Sequence, residues 1–139
     1  MLTTARHLLE VKGPDVWSIT PDITVYEALR MMADKDVGAL LVMEGDRLAG
    51  IISERDYARK IILQGKTSKD TLVREIMSTR LYTIHPDQTV EEAMELMTHH
   101  HVRHLPVVAD EHVYGVISIG DVVNNIIHRQ RETIKNLSR

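Results

Sequence analysis

Two segments of the chain carry the same order of apolar and polar positions. In each, a short β-branched run stops at Pro21 or at Pro86. Apolar residues then recur at the spacing of one helix face, and two apolar runs follow, each of the length of a buried strand. The second run ends at Ser53 or at Ser118, where another helical pattern begins. The pattern therefore predicts the order β-α-β-β-α twice.

The two copies are related by a shift of 65 positions (Pro86 minus Pro21), which aligns residues 16–61 with residues 81–126 without a gap. Such agreement indicates two copies of one supersecondary unit. One unit is too small to bury both faces of its sheet, so we expect a mixed α/β (α+β) fold of two tandem repeats related by a pseudo-twofold axis.

The segments outside the repeats complete the predicted organisation. Short helices are expected at Ala5–Val11 and Leu72–Met77, just upstream of each repeat. The last helix is expected from Asp121 to Leu137, longer than its counterpart, and its extra apolar positions suit either its own repeat or a dimer or partner contact. We predict three parts: residues 1–65, the first repeat with an N-terminal helix; residues 66–78, a linker and short helix; and residues 79–139, the second repeat with an extended C-terminal helix.

The helix starts carry the candidate chemistry. Thr24 and Thr89 are each followed three residues later by Glu, the spacing of a capping box. Ser53 with Asp56, and Ser118 with Asp121, repeat this spacing directly after a strand. Such a pair satisfies backbone donors of the first helical turn, and it also places polar groups at a helix end that favours phosphorylated or hydroxylated ligands. Capping and binding are both open, and they can coexist.

Composition and motifs exclude several classes of function. The chain has no cysteine, so it has no disulfide, thiolate nucleophile or zinc–thiolate site. It lacks a Gly-x-Ser-x-Gly elbow, a Walker loop and a Rossmann fingerprint, which argues against an enzyme, and we predict no catalytic residue. The apolar run Ala39–Met43 is too short to span a membrane, and Met1–Val11 lacks a signal-peptide core, so we expect a cytoplasmic protein.

Nucleic-acid binding is the weakest of the classes considered. The net charge is −3, which creates no field attracting a polyanion to the chain as a whole. The case for it rests on a basic tail, diluted by Glu132, whose members are His128, Arg129, Arg131, Lys135 and Arg139. We therefore expect neither a membrane nor a nucleic-acid partner.

Taken together, the motifs resemble a known family. Pro-Asp-x-Thr-Val begins at Pro21 and Pro86, and Gly-x-Ile-Ser-x-x-Asp begins at Gly50 and Gly115. These tandem motifs resemble a pair of CBS domains (a Bateman module), as in small stand-alone bacterial CBS-domain proteins, over Lys12 to Ile127. The resemblance implies a non-catalytic regulatory sensor that binds adenine nucleotides in clefts between the repeats: AMP first, with ADP, ATP or an NAD-like dinucleotide as alternatives. It also implies a homodimer and a separate regulated protein.

The resemblance further implies roles for individual residues. The ribose would be bound by the Ser and Asp of each helix start: Ser53, Asp56, Ser118 and Asp121. The adenine would lie against the loop before the first helix, the entry to the second strand and the end of the third: Thr20, Pro21, Val37, Gly38, Ala39, Ile52, His85, Pro86, Val102 and Ile117. The phosphate would meet basic residues that differ between the repeats: Lys12, Arg55, Arg59, Arg103 and His104. Arg59 and its neighbour Lys60 fit a solvated helix face equally well.

Two other functions stay open at this stage. One is an interaction or scaffold module that needs no nucleotide. The other is metal binding by the histidine cluster His99–His101 with His104, since imidazole is a common metal ligand. Three consecutive helical residues point about 100° apart, so they cannot all meet one ion. A solvated helix end is therefore favoured, and we assign no metal site.

Overall fold

A computed structural model describes residues 2–137. Met1, named above with the N-terminal segment, and Arg139 of the basic tail lie outside the described residues. The chain forms two compact units. One unit, here called the first-repeat unit, is Trp17–Leu81; the other, the second-repeat unit, combines the residues up to Val16 with those from Tyr82 onward.

The predicted mixed α/β class with two tandem repeats is confirmed. In chain order, the elements are α1 (Ala5–Lys12), β1 (Ser18–Ile19), α2 (Val25–Lys35), β2 (Ala39–Glu44), β3 (Arg47–Ser53), α3 (Glu54–Tyr57) continued by a π-helical turn (Ala58–Ile62), α4 (Val73–Ile76), α5 (Val90–His100), β4 (His104–Ala109), β5 (His112–Ser118) and α6 (Ile119–Leu137).

The first-repeat unit contains a three-stranded sheet in the order β1-β2-β3. Strand β1 pairs parallel to β2, and β2 pairs antiparallel to β3, with Leu40 opposite Ile52. One face of α2 packs on this sheet through Val25, Ala28 and Met32 because these residues recur at helical spacing. The β-α-β-β-α order predicted for this repeat is confirmed.

In the second-repeat unit, the first predicted strand is not formed. The run Leu81–Ile84 shortens to a single parallel bridge between Ile84 and Val107, beside the two-stranded sheet β4-β5. In the first repeat, the Leu41 N–H donates to the Trp17 carbonyl at 3.4 Å. Pro106 occupies the position that corresponds to Leu41, and proline has no N–H to donate. The prediction of a strand at Leu81–Ile84 is therefore wrong, because Pro106 cannot donate this ladder hydrogen bond.

The predicted capping boxes form to different extents. Thr89 Oγ1 accepts from Glu92 N at 3.1 Å, and the Glu92 carboxylate accepts from Thr89 N at 3.2 Å. Thr24 Oγ1 accepts from Glu27 N at 3.1 Å. Among residues 2–137, no return bond reaches the Glu27 carboxylate, so this cap is only half of the predicted box.

The segment upstream of each repeat belongs to the unit of the other repeat. The Val25 N–H donates to Thr71 O at 2.8 Å, so the segment before the second repeat completes the first-repeat unit. The Val90 N–H donates to Thr3 O at 2.9 Å, so the segment before the first repeat completes the second-repeat unit. Helix α1 is thus grouped with the second repeat, whereas the predicted boundaries placed it with residues 1–65.

Candidate functional site

In the first-repeat unit, Ser53 and Asp56 form a reciprocal pair where β3 becomes α3. Asp56 Oδ2 accepts from Ser53 N at 2.9 Å, and Ser53 Oγ accepts from Asp56 N at 3.2 Å. The Ser53 hydroxyl also lies 3.1 Å from Asp56 Oδ2. The capping interpretation of this pair is therefore correct, because both orphan donors of the first turn are satisfied.

Asp56 has two further partners that the sequence analysis did not assign. Lys60 Nζ lies 3.2 Å from Asp56 Oδ1, and Ser78 Oγ lies 3.5 Å from the same oxygen. Lys60 also donates to the Ile76 carbonyl at 2.8 Å, which connects the π-helical turn after α3 to the end of α4. The i, i+4 spacing of Asp56 and Lys60 was the available signal. The contact with Ser78 had no local signal because it is a tertiary contact.

In the second-repeat unit, Ser118 and Asp121 form the same kind of pair where β5 becomes α6. Asp121 Oδ2 accepts from Ser118 N at 2.7 Å, and Ser118 Oγ accepts from Asp121 N at 3.1 Å. The neighbouring cation here is Lys12, whose Nζ lies 3.0 Å from Asp121 Oδ2. Lys12 also donates to the Val116 carbonyl at 3.0 Å. Each unit thus combines a hydroxyl, a carboxylate and an ammonium group at one strand–helix junction.

The entry to the second strand of each repeat adjoins this junction. Ala39 pairs with Ser53 across the sheet, and His104 pairs with Ser118. The Glu54 N–H donates to the Gly38 carbonyl at 3.1 Å, and the Ile119 N–H donates to the Arg103 carbonyl at 2.9 Å. Within each unit, the structure therefore brings the residues predicted to bind the ribose close to those at the strand entry, which were predicted to contact the adenine or the phosphate.

The remaining residues predicted for the adenine occupy several environments. Ile52 and Ile117 are fully buried in the hydrophobic cores of their units. The Pro21 carbonyl accepts from Arg74 N, and the Pro86 carbonyl accepts from Arg6 N, both at 2.9 Å.

Two pairs of adenine candidates lie beside helices. Val37 and Val102 follow the first helix of their repeats and are half-buried, whereas Thr20 and His85 are exposed. The role of these residues in binding a base stays a prediction.

The predicted phosphate-binding residues divide into paired and unpaired cations. Lys12 is paired with Asp121, as described above. Arg55, Arg59 and Arg103 are exposed and, within residues 2–137, form no ion pair. His104 is half-buried in β4. Among the residues that the structure describes, only those of the second-repeat unit combine a lysine at the carboxylate with basic residues at the strand entry.

The histidine cluster packs as a helix end. The Tyr82 ring stacks on His100 with 3.7 Å between centroids, and His99 meets His100 edge-on at 4.7 Å. His101 adopts the left-handed conformation that ends α5. In the part of the chain that the structure describes, no three His, Asp or Glu side chains are placed to hold a metal ion.

Comparison with known proteins supports the resemblance drawn from the motifs. The model of the CBS domain family matches residues 9–63 and 73–128. A mitochondrial CBS domain-containing protein of Arabidopsis thaliana is 44% identical over 98% of this chain and 70% of its own length. A protein with CBS domains from Burkholderia ambifaria, whose structure has been solved, is 45% identical; the match covers 92% of this chain and 96% of that chain, with a TM-score of 0.87.

A more distant structure shares the fold alone. It is a CBS domain pair in complex with 5′-methylthioadenosine and S-adenosyl-L-methionine, 23% identical, with a TM-score of 0.82 over 93% of this chain and 99% of its own. The matched family describes a domain and not a class of enzyme. Across residues 2–137, no helix is both long enough and apolar enough to cross a bilayer. Because the Arabidopsis relative is mitochondrial, a cytoplasmic location stays a prediction.

Proposed function

Because this chain belongs to the CBS-domain family, we propose that it is a non-catalytic regulatory module that binds an adenosine-containing ligand and signals to a separate protein. The observation that carries the proposal is the arrangement at the strand–helix junction of each repeat. There, a Ser and an Asp face a lysine whose Nζ lies 3.0 Å or 3.2 Å from the carboxylate. The ligand we favour is AMP, with ADP, ATP and NAD-like dinucleotides as alternatives.

The chemistry of the junction suits a ribose. A carboxylate can accept hydrogen bonds from both vicinal hydroxyls, and hydrogen bonds to an ionised acceptor are about twice as strong as neutral ones. The phosphate would be met by Lys12 and Arg103 in the second-repeat unit, and by Arg55 and Arg59 in the first. A distant CBS domain pair that shares this fold has been solved in complex with two adenosine derivatives, 5′-methylthioadenosine and S-adenosyl-L-methionine.

Regulation would work through a shift of population. A ligand changes a conformational equilibrium only by as much as it prefers one arrangement over another. Lys60 and Lys12 each connect the candidate carboxylate to a main-chain carbonyl of another segment, Ile76 or Val116. A ligand that competes for the carboxylate therefore alters these connections, and a partner protein would recognise the altered surface. We propose that the module acts as a homodimer.

A thermal-shift series tests the proposal. The chain is heated with AMP, ADP, ATP or NAD, and a ligand at about 100 times its dissociation constant adds about 2.7 kcal/mol of stability. We expect a shift with at least one nucleotide, and its loss in Asp56→Ala or Asp121→Ala. Asp34→Ala, on the exposed side of α2, is the matched control and should keep the shift. No shift with any nucleotide would refute nucleotide sensing.

An interaction module without a nucleotide is the second candidate, and one observation favours it. Both oxygens of Asp56 already face donors of its own unit, so capping by Ser53 together with the contacts to Lys60 and Ser78 is a sufficient role for that residue. Under this alternative, Asp56→Ala and Asp121→Ala leave binding of the partner protein unchanged. A nucleotide does not alter that binding either. Nucleotide-dependent capture of the partner would exclude it.

A further inference from the structure

The outer edge of the sheet is covered in the first-repeat unit. Ile51 in β3 exchanges two main-chain hydrogen bonds with Ser78: its N–H donates to Ser78 O at 3.1 Å, and its carbonyl accepts from Ser78 N at 2.9 Å. The shift of 65 positions relates Ile51 to Val116 and Ser78 to Gly13. If the two repeats were equivalent, Gly13 would cover the edge of β5 in the same way.

The edge of β5 is open instead at Val116. The Val116 carbonyl accepts from the Lys12 side chain at 3.0 Å, and the N–H of a strand residue points to the same side as its carbonyl. The opposite residue, Pro106, has no N–H, and its carbonyl accepts from Ile84 N at 3.0 Å on the far side of β4. Among residues 2–137, the Val116 N–H therefore has no acceptor.

A pocket of about 400 Å³ adjoins this open edge, and a volume of this size is within the range of ligand sites. Its apolar wall consists of Leu9, Pro14, Pro86 and Tyr114. Tyr114 is 41% exposed, although it belongs to a strand. Because each strand residue advances about 3.3 Å, Tyr114 lies roughly 13 Å along β5 from Ser118, so the pocket is separate from the strand–helix junction.

The charges around the pocket leave one carboxylate without a counter-ion. Arg6 at the rim pairs with Asp87 at 3.0 Å. Lys12, close to the edge, pairs with Asp121 at 3.0 Å. Glu10 also lines the pocket, is exposed, and forms no ion pair within the described part of the chain. A ligand that carries a cation beside an apolar group matches this arrangement.

We propose that the open edge of β5 and the adjoining pocket bind an extended segment of a partner protein. A carbonyl of the segment accepts from the Val116 N–H, a bulky apolar side chain enters the pocket, and a neighbouring Lys or Arg pairs with Glu10. A second copy of this chain fits less well, because symmetric pairing of two β5 edges would bring their Lys12 ammonium groups together. The proposal goes beyond the proposed function, since it requires no nucleotide.

Amide hydrogen exchange, followed by NMR on the full chain, tests whether the edge is open. Ser78 should protect the Ile51 N–H, whereas the Val116 N–H should exchange at least about tenfold faster. Equal protection of the two amides would show that the edge of β5 is covered, and it would overturn the proposal.

A display library of eight-residue peptides, selected on the immobilised full chain without nucleotide, supplies the binding probe. We expect enrichment of a bulky apolar residue next to Lys or Arg. Tyr114→Ala should weaken binding of the selected peptide at least about tenfold, and Val116→Pro, which removes the N–H, about fivefold. Tyr26→Ala, which removes an exposed tyrosine of the first-repeat unit, is the matched control and should stay within about twofold.

Glu10→Lys should reverse the charge preference, so that a peptide with Glu in place of its basic residue binds this variant better than the original peptide does. A library that yields no enriched peptide, or a peptide insensitive to Tyr114→Ala, would overturn the proposal. A dimer that Tyr114→Ala dissociates in analytical ultracentrifugation would assign the edge to a second copy and overturn it as well. Circular dichroism establishes that each variant is folded. Titration with AMP tests nucleotide sensing separately, so either idea can fail without the other.

Discussion

Lys12 Nζ lies 3.0 Å from Asp121 Oδ2, which joins the end of α1 to the first turn of α6. The same ammonium group donates to the Val116 carbonyl in β5. Asp56 has a corresponding cation in Lys60, which comes from the same helical segment as the aspartate itself. The two repeats thus place a lysine at the same chemical position from unrelated places in the sequence, and substitutions of the two lysines should have different effects.

For Lys12→Met, we expect weaker binding of AMP by about tenfold, because a charge-assisted contact to the phosphate is lost. Binding of adenosine, which has no phosphate, should change by less than about twofold. Calorimetric titration with both compounds measures the difference. Lys66→Met, an exposed lysine with no ion pair in the described part of the chain, is the control and should change neither. Equal losses for AMP and adenosine would show that Lys12 acts only through Asp121.

For Lys60→Met, we expect a loss of stability of about 1 kcal/mol and little change in AMP affinity. The substitution removes the ion pair with the half-buried Asp56 and the hydrogen bond to Ile76 O. Urea unfolding measures the stability. The neighbouring Arg59 is exposed and unpaired within residues 2–137, so Arg59→Met should stay within about 0.5 kcal/mol of the unsubstituted chain. Similar losses in both variants would contradict the structural role of Lys60.

The sequence predicted those features that depend on local spacing. The Ser-x-x-Asp pairs form as capping pairs because their donors and acceptors lie within one helical turn. The prediction failed where the two repeats differ in a single residue type. Pro106 has no N–H to form the ladder hydrogen bond that Leu41 makes in the first repeat, so the predicted strand at Leu81–Ile84 shortens to a bridge.

The repeat pattern could not predict contacts between segments that are distant in the sequence. The contact of Ser78 with Asp56 and the contact of Lys12 with Asp121 join segments that no periodicity connects. The grouping of α1 with the second repeat was missed for the same reason, since matching sequence position does not determine which sheet a helix covers. Lys60 is intermediate, because its i, i+4 spacing from Asp56 was visible but a solvated helix face fitted it equally well.

Gly50 should not tolerate a side chain. A Cβ at this position of β3 would lie 2.8 Å from the Ser78 carbonyl oxygen, and 3.0 Å from the Met77 sulfur. The Ser78 carbonyl also accepts from Ile51 N at 3.1 Å, so the main chain of this segment cannot withdraw without losing that bond. We therefore expect Gly50→Ala to lower the free energy of unfolding by about 1–3 kcal/mol.

The control for Gly50→Ala is the same substitution at Gly120. A Cβ at Gly120 would meet Ser118 Oγ at 3.5 Å, an ordinary contact. Gly120 lies in α6, where alanine is favoured over glycine by about 0.5–1 kcal/mol. Gly120→Ala should therefore be neutral or stabilising in the same urea titration. A neutral Gly50→Ala would mean that the segment at Ser78 does not pack against β3 as described.

The last prediction concerns the pH dependence of the contact between α5 and α6. Arg129 Nη2 donates to Glu91 Oε1 at 2.7 Å, and this hydrogen bond lowers the pKa of Glu91 below its ordinary value. A group whose pKa is lowered on folding contributes stability above its unfolded pKa of about 4.3, and this stability is lost as the pH falls through the lowered pKa. The pair is screened by solvent, since Glu91 is 53% exposed.

For Arg129→Gln, we therefore expect a loss of about 0.5–1 kcal/mol at pH 7 that shrinks as the pH falls below about 4.3 and through the lowered pKa of Glu91, because the protonated carboxyl no longer pairs with Arg129. The pKa of Glu92 is also lowered, by hydrogen bonds from Gln88 and Thr89, so its pH dependence is common to both variants and cancels. Urea unfolding at several pH values measures the difference. Arg131→Gln removes an exposed charge two residues away and should cost less than about 0.5 kcal/mol at each pH. A pH-independent loss in Arg129→Gln would indicate that Arg129 stabilises α6 by packing and not through Glu91.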